Sequence, residues 1–366
     1  MTKAEYGSDF HRCDHDFRGA SNFIDVMGCT RMYACGRHAI DAIVKHGGWK
    51  RIWMPAYFCY EVMGHLKEQF DVVLYDDSPL STKDDEVVRQ LPYREGDVLL
   101  RTDYFGLRKW RTNKGIGVPV IEDHTHGLTT DWALRSDADY CIASLRKSLP
   151  VAAGGILWSP KGKQLPDGIQ ASEDCEKMAE IRYQAMAMKA EYLKMVSGSK
   201  FQVSGSEEQV SSEMAELKDA FREKYIDSEE RIDGLALSGI DHESEEITRA
   251  LNVKMWTDLK ADNWYLCKEL LDERFKVMEL ESGKMVQPFS LVLLMDSAEE
   301  RERLRKYMIQ HQIYPAILWR MPEDSEFGEA KDFSERMLSV HCDIRYSRDA
   351  ITEMCNIING FYDTDI

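Results

Sequence analysis

The 366-residue chain lacks the features that mark membrane and secreted proteins. No apolar run approaches the roughly 18 residues that cross a bilayer, and the polar first residues contain no hydrophobic region of a signal peptide. Its nine cysteines are odd in number and show no C-x-x-C spacing, which is typical of reduced thiols rather than of a disulfide framework. We therefore expect a cytoplasmic protein without a membrane partner.

Basic residues are fewer than acidic residues. The chain has 47 Lys and Arg residues against 64 Asp and Glu residues, a net charge of −17. This excess of acid argues against a nucleic-acid partner, although a local basic pocket for a phosphate group is compatible with it. A hydrophobic content of 43% is typical of a globular chain, and the length suffices for a large domain and a smaller one.

Short apolar segments alternate with helical patterns in the first half of the chain. Continuous runs of Val, Ile and Leu are typical of parallel strands covered on both faces. They predict an α/β fold whose ligands bind beyond the carboxyl ends of the strands. The predicted strands are residues 51–54, 71–75, 97–102, 118–122, 139–143 and 155–158.

Proline is absent between residues 167 and 287, and this part of the chain is predicted to be helical. Apolar residues at 3-4 spacing predict one helix from Met178 to Met195. Ser204 and Glu207 form a plausible capping box for a second helix, and a third is predicted over residues 247–275.

A strand at residues 289–295 and two further helices follow the proline-free part of the chain. These elements indicate a smaller α+β domain. We predict a large domain with a mostly parallel sheet between helices over residues 1–240, including a helical segment at about 170–232. The small C-terminal domain is predicted over residues 241–366.

The most informative stretch surrounds Lys147, which follows a predicted strand and precedes a Gly-Gly pair. A lysine at the mouth of a strand is suited to form an imine with an aldehyde. Asp123 ends another predicted strand, where a carboxylate can hold a ring nitrogen. Together the two residues suggest a pyridoxal phosphate (PLP) site.

The order of these motifs resembles that of the DegT/StrS-type sugar aminotransferases, a branch of the fold-type I PLP enzymes. The resemblance covers most of residues 30–160 and returns more weakly near the C-terminus. Family members carry a small-residue turn that opens a helix, Pro with an aromatic residue, a Glu-Asp strand end, and Ser-x-x-Lys before Gly-Gly. The matching segments are Cys35-Gly36-Arg37-His38, Pro55-Ala56-Tyr57-Phe58, Glu122-Asp123-His124-Thr125-His126, and Ser144-Leu145-Arg146-Lys147 with Gly154-Gly155.

The resemblance implies a role for each polar residue near the cofactor ring. Lys147 would form the internal aldimine, helped by a pKa that Arg146 and partial burial lower. Asp123 would bond the protonated pyridine nitrogen. His126 would lie beside the phenolic oxygen, with a structural histidine as the alternative.

The cofactor phosphate would bind at the start of a helix. Backbone amides of Gly36, Arg37 and His38 are the predicted donors, and Ser144 is a second candidate. The family's threonine is replaced by Arg37, which either adds a charged clamp or points elsewhere. Many relatives also have a serine where this chain has Ile142.

Aromatic and C-terminal residues complete the predicted site. Phe58 or Tyr57 would stack on the pyridine ring, and Phe58 is favoured; the alternative for either is a core aromatic. Arg345, beside Tyr346, could pair with a substrate carboxylate, but a salt bridge within the small domain is the favoured interpretation. No metal is predicted.

Neither of two histidine motifs predicts a metal site. His124-x-His126 lacks a third ligand at suitable spacing, and His11-x-Cys13-x-His15 is similarly weak.

The sequence therefore predicts a PLP-dependent aminotransferase. The resemblance implies glutamate or glutamine as amino donor, a keto or aldehyde acceptor such as a nucleotide-linked keto-sugar, and a homodimer with the proline-free helices as a candidate contact. Two alternatives stay open. One is a PLP enzyme of another reaction type, such as a lyase or dehydratase. The other is a non-catalytic regulator or scaffold.

Overall fold

A seven-stranded sheet lies at the centre of the protein, in the strand order β2-β8-β7-β6-β5-β3-β4. The structure is a computed structural model that describes residues 5–7, 9–13, 24, 27–196, 207–281 and 288–363. The strands of these residues are β1 (Tyr6–Gly7), β2 (Thr30–Tyr33), β3 (Arg51–Pro55), β4 (Asp71–Tyr75), β5 (Asp97–Thr102), β6 (Val120–Asp123), β7 (Tyr140–Ser144), β8 (Gly155–Trp158), β9 (Leu291–Leu294), β10 (Ile313–Tyr314) and β11 (Met337–Val340).

Helices of the same residues flank the sheet or follow it in the chain. They are α1 (Gly36–Gly47), α2 (Tyr60–Lys67), α3 (Asp84–Gln90), α4 (Asp131–Arg135), α5 (Glu173–Val196), α6 (Glu207–Asp233), α7 (His242–Ala250), α8 (Val253–Leu270), α9 (Ala298–Gln310), α10 (Gly328–Arg336) and α11 (Arg348–Asn359). No helix in these parts of the chain is long and apolar enough to cross a membrane.

Five neighbouring strands, from β7 to β4, are parallel, and β8 runs antiparallel to both β7 and β2. The central strand β5 is buried along its whole length, as expected for a strand covered by helices on both faces. The predicted α/β fold with a mostly parallel sheet is confirmed. Strand β2 was not predicted, because its sequence Thr-Arg-Met-Tyr is too polar to stand out.

The helical middle of the chain differs from its prediction in one place. The helix expected over residues 247–275 is wrong, since the chain forms α7 and α8 instead. Asn252 separates them, and its side chain accepts a hydrogen bond from the Met255 amide and caps α8. The predicted stripe from Met178 to Met195 lies on α5, which packs against α6. Ser204 of the predicted capping box lies outside the described residues.

Two small sheets complete the architecture. Strands β9 and β11 pair in antiparallel fashion, and β1 pairs in parallel with β10. The hydrophobic cluster around them also takes in Tyr57 and Phe105 from the first half of the chain. The carboxyl ends of the parallel strands therefore face aromatic residues from both halves. The domain boundary near residue 240 stays a prediction.

Candidate active site

The carboxyl ends of β6 and β7 bring the predicted acid and serine together. Asp123 lies opposite Ile142 in the parallel register of the two strands. Thr125 links the two ends: its amide donates to Asp123 Oδ1 at 2.8 Å, and its hydroxyl oxygen accepts from the Ser144 amide at 2.9 Å. Sequence reasoning missed Thr125, since its role depends on the pairing of two strands.

Glycines allow the start of α1 to approach these strand ends. A Cβ atom on Gly36 would lie 3.1 Å from Ser144 Cβ, so the first turn of α1 rests against Ser144. A Cβ atom on Gly155 would lie 2.1 Å from the carbonyl oxygen of Cys35, closer than any real contact. The Gly-Gly motif therefore permits a close backbone contact between β8 and the segment that leads into α1.

Lys147 ends a short 3-10 helix that follows β7 directly. Its side chain is exposed to solvent, and its amine makes no hydrogen bond or ion pair with any residue that the structure describes. The positive charge of Arg146 is the main cause that lowers the pKa of Lys147, and desolvation by the surrounding protein adds to it. An accessible amine with a lowered pKa is a better nucleophile at neutral pH than an ordinary lysine.

Arg146 is held in place by an acid from α6. Its guanidinium donates two hydrogen bonds to Glu229, at 2.7 and 2.8 Å. Glu229 also accepts from Arg182 at 2.7 Å, and Arg182 donates to Asp9 at 2.6 Å. The two arginines keep the pKa of Glu229 well below its usual range. Glu229 was not foreseen, because no local motif connects it with Lys147.

Asp123 is a buried carboxyl whose negative charge is poorly solvated. Burial is the main cause that raises its pKa, and the charge of Asp103 acts in the same direction. Hydrogen bonds from Thr125 and the charge of His124 oppose the shift. A cation placed beside this carboxyl would relieve the cost of its burial.

His126 lies in a stack of aromatic rings. Its ring centre is 4.2 Å from that of Phe289 and 5.2 Å from that of Trp319, with interplanar angles of 21° and 12°. Burial lowers the pKa of His126 to about 3, so the ring is neutral. Its Nδ1 accepts from the Phe105 amide at 3.3 Å, which leaves Nε2 as the protonated nitrogen.

His124 points away from His126 and into the sheet. Its Nε2 lies 3.0 Å from Glu122. Asp103 and Glu122, its two acidic neighbours, raise the pKa of His124. Glu122, His124 and Cys141 form a buried group within 4.8 Å that has the spacing of metal ligands, found among the described residues. Burial raises the pKa of Cys141 to about 11, which keeps the thiol protonated.

Glu122 in this group already accepts hydrogen bonds from Asn113 at 2.6 Å and Ser136 at 2.5 Å. The contacts therefore describe a hydrogen-bonded ion pair between Glu122 and His124. For the other histidine pair, His15 lies outside the described residues.

The two candidate stacking aromatics have different surroundings. Tyr57 packs edge-on against Tyr104 and Phe333, at ring distances of 5.5 and 5.3 Å, and its hydroxyl donates to the Leu318 carbonyl. Within the described residues, Phe58 has a single ring neighbour, Trp319, at 5.9 Å. Both side chains are buried in hydrophobic clusters, and Phe58 has fewer rings against it than Tyr57.

Arg37 and His38 direct their side chains toward the end of α6 and the loop after it. The Arg37 guanidinium donates to the Ile232 carbonyl at 2.9 Å and pairs with Asp233 at 3.0 Å. The His38 ring contacts the Leu235 carbonyl at 3.1 Å. Of the two alternatives for Arg37, a charged clamp on the phosphate or a side chain directed elsewhere, the geometry matches the second. The predicted role of the α1 amides is independent of these side chains.

Ile142, where many relatives have a serine, is a core residue. Its side chain is buried in the hydrophobic cluster that contains Ile40 and Ile43 of α1. It contributes packing between the sheet and α1, and it supplies no polar atom to the site.

Arg345 and Tyr346 lie in a turn after β11. The guanidinium of Arg345 makes two 2.8 Å hydrogen bonds to Asp343 and a third, of 2.9 Å, to the Asp9 carbonyl. The Tyr346 hydroxyl accepts from the Gly7 amide at 2.7 Å. Both side chains fasten the N-terminal segment to this turn.

The sheet order and the lysine-bearing turn after β7 define an aminotransferase-like α/β fold. No protein-family model matches the sequence, and no curated protein matches it either. Many solved structures are similar, and those described below are DegT/StrS-type or sugar aminotransferases.

Three of these structures show the extent of the likeness. Spr1654 of Streptococcus pneumoniae, assigned as a sugar aminotransferase and solved in its PMP form, has a TM-score of 0.61 and 10% identity over 99% of this chain and 98% of its own. PseC of Helicobacter pylori, an aminotransferase of pseudoaminic acid biosynthesis, has a TM-score of 0.60 and 8% identity, covering 98% of this chain and 99% of its own. A DegT/DnrJ/EryC1/StrS aminotransferase of Brucella abortus has a TM-score of 0.56 and 12% identity over 92% of this chain and 87% of its own. At such identities the likeness establishes a shared fold.

Proposed function

We propose that this protein is a PLP-dependent aminotransferase of the DegT/StrS type. The observation that carries the proposal is the accessible amine of Lys147, which makes no hydrogen bond or ion pair with the described residues and follows β7, the strand paired with the end of β6 that carries the buried carboxyl of Asp123. Spr1654, which has this fold, has been solved in both a PLP form and a PMP form.

The residues around Lys147 fit the chemistry of this cofactor. A buried carboxyl with a raised pKa suits a protonated ring nitrogen, and the neutral His126 offers an Nε2–H to a phenolic oxygen. The first turn of α1 presents backbone N–H groups beside Ser144, an arrangement that suits a phosphate. Phe58 supplies an apolar ring that contacts Trp319, the residue whose ring stacks on His126.

PLP, when bound, supplies a ring that withdraws electrons from the substrate carbon. Lys147 Nζ would bond to the cofactor aldehyde and be released when the substrate amine replaces it. The freed amine would then take the proton from the substrate Cα and deliver it to the cofactor carbon. Arg146 helps because its charge keeps a larger fraction of Lys147 unprotonated. Asp123 would hold the ring-nitrogen proton throughout.

The donor, acceptor and assembly belong to the same proposal. We infer glutamate or glutamine as donor and a keto or aldehyde compound, such as a nucleotide-linked keto-sugar, as acceptor. The nucleotide-linked acceptor is supported by a further similar structure, DesI, which was solved with its TDP-sugar product. A cytoplasmic homodimer is proposed, with α5 and α6 as a candidate contact.

The test is spectroscopic. Purified protein given PLP should show a visible imine band that borohydride fixes, and mass spectrometry should find the reduced adduct on Lys147. Lys147→Ala should remove the band, whereas Lys161→Ala, at an exposed lysine paired with Asp139, should retain it. Absence of the band in the unaltered protein would refute the proposal.

Addition of glutamate or glutamine distinguishes the reaction types. An aminotransferase converts the imine band to the pyridoxamine form. A lyase or dehydratase would keep Lys147 and the band but would not yield that form, and a regulator or scaffold would turn over neither donor.

A further inference from the structure

Lys260 on α8 is a second buried amine close to the candidate active site. Only 6% of the residue is exposed, yet its amine makes no hydrogen bond or ion pair with any residue in the described part of the chain. Its Nζ lies 4.5 Å from the ring centre of Phe289. Among the residues that the structure describes, this cation–π contact is the one direct interaction of the amine. Buried ammonium groups are normally paired with an acceptor, so the lack of a hydrogen-bonding or anionic partner within the described residues requires an explanation.

Contacts through Phe289 connect Lys260 with the site around Lys147. The same Phe289 ring stacks on His126 at 4.2 Å. Thr257, one turn earlier on α8, accepts a hydrogen bond from Thr129 at 3.0 Å, in the loop that carries His126. Both Lys147 and Lys260 lie near enough to His126 for their charges to lower its pKa. The two amines therefore border the same aromatic group.

The charged groups nearest to Lys260 do not neutralise it. Asp343 is the one carboxylate among the main influences on Lys260, and that carboxylate is already held by the two-pronged bond from Arg345. Desolvation is the main cause that lowers the pKa of Lys260, to about 8, so most of the amine is still protonated at neutral pH. The ammonium group of Lys260 carries one positive charge and lies beside an apolar ring. It therefore suits a carboxylate, with one negative charge, better than a diphosphate.

We propose that Lys260 binds the carboxylate of the amino-acid donor, with Phe289 as the apolar wall of this subsite. The inference rests on the proposed aminotransferase function and adds the residue that selects an acidic substrate. Lys260 would act as a binding and positioning residue, and Lys147 would carry the proton transfer.

The experiment measures the binding of glutarate, a dicarboxylate without a reactive amine, to the PLP-loaded protein by calorimetry. Lys260→Met should weaken glutarate binding by about 10-fold or more, the typical effect of losing a charge-assisted hydrogen bond. Lys260→Arg should restore most of the affinity. Lys254→Met is the matched control, because Lys254 is an exposed lysine of the same helix, paired with Asp258, and its loss should leave binding unchanged.

A second measurement needs no substitution. Glutarate should protect Lys260, but not Lys254, from reductive methylation mapped by peptide mass spectrometry. Unchanged affinity in a folded Lys260→Met protein, or equal methylation of Lys260 with and without glutarate, would overturn the inference. If Lys260→Met weakened the binding of uridine diphosphate and left that of glutarate unchanged, the carboxylate assignment would be overturned. The imine band at Lys147 is expected in all variants, and its absence from the unaltered protein would contradict the proposed function rather than this subsite.

Discussion

Glu229→Gln tests whether α6 controls the amine of Lys147. The substitution keeps the size of the side chain but removes the charge that pairs with Arg146 and Arg182. Because the charge of Glu229 raises the pKa of Lys147, its loss should lower that pKa further. The pH dependence of the rate of imine formation with added PLP, which follows the unprotonated amine, should therefore shift to lower pH.

The same substitution should cost stability. Breaking a fully buried ion pair costs about 3–5 kcal/mol, but 40% of the Glu229 side chain is exposed, so solvent screens the pair. We therefore expect a loss of about 1–2 kcal/mol in the free energy of unfolding, measured by urea denaturation. Glu223→Gln, at an exposed glutamate of the same helix, is the control and should change neither quantity. A stability loss with an unchanged or raised lysine pKa would refute the electrostatic coupling.

Three further predictions concern the ring stack, the stacking aromatics and the glycine pair. The folded protein holds the pKa of His126 at about 3, against 6.5 for an ordinary histidine, so between these pH values it binds fewer protons than the unfolded chain. The contribution of His126 to the free energy of unfolding is therefore complete above pH 6.5 and falls by about 1.4 kcal/mol per pH unit as the pH drops toward 3. His126→Gln should make the decline of unfolding free energy over pH 6 to 4 shallower by that amount. Phe58→Leu should weaken PLP affinity several-fold in a fluorescence titration, whereas Tyr57→Phe should cost about 1–2 kcal/mol of stability with unchanged PLP affinity. Gly155→Ala should prevent folding, judged by circular dichroism, because its Cβ would overlap the Cys35 carbonyl.

Each of these predictions has an outcome that would contradict it. An unaltered slope in the His126 variant would mean that its ring titrates normally in the folded protein. Loss of PLP affinity in Tyr57→Phe would reverse the assignment of the two aromatics. For the glycine, Gly117→Ala is the control, since no atom lies within 4 Å of the added Cβ, and equal stability of both variants would disprove the close contact.

The parallel strands were predictable because each is a short, continuously apolar run bounded by polar residues. Residues 71–75 and 97–102 match the observed strands, although β5 is buried along its whole length whereas the edge strand β4 is mostly half-buried. The edge strand β2 was not predicted, because half of its residues are polar and no apolar run marks it. The break at Asn252 was missed because apolar spacing continues across it, while a capping side chain decides where α8 begins.

For the candidate site, the sequence could indicate residues that follow strands but not those that approach from elsewhere. Lys147, Asp123 and Ser144 stand at strand ends, which topology places at one edge of the sheet. Glu229 and Lys260 come from helices far along the chain, and no local pattern separates them from surface charges. The direction of Arg37 depended on Asp233, again a partner remote in sequence.

The pairing of β1 with β10 has a consequence for synthesis on the ribosome. Tyr6 is synthesised 307 residues before its partner Ile313. Until then the N-terminal strand has no ladder partner, and the Asp9 carbonyl lacks the contact with Arg345. Pairing of these two segments must therefore wait until residue 313 has been made, after every strand of the central sheet has been synthesised.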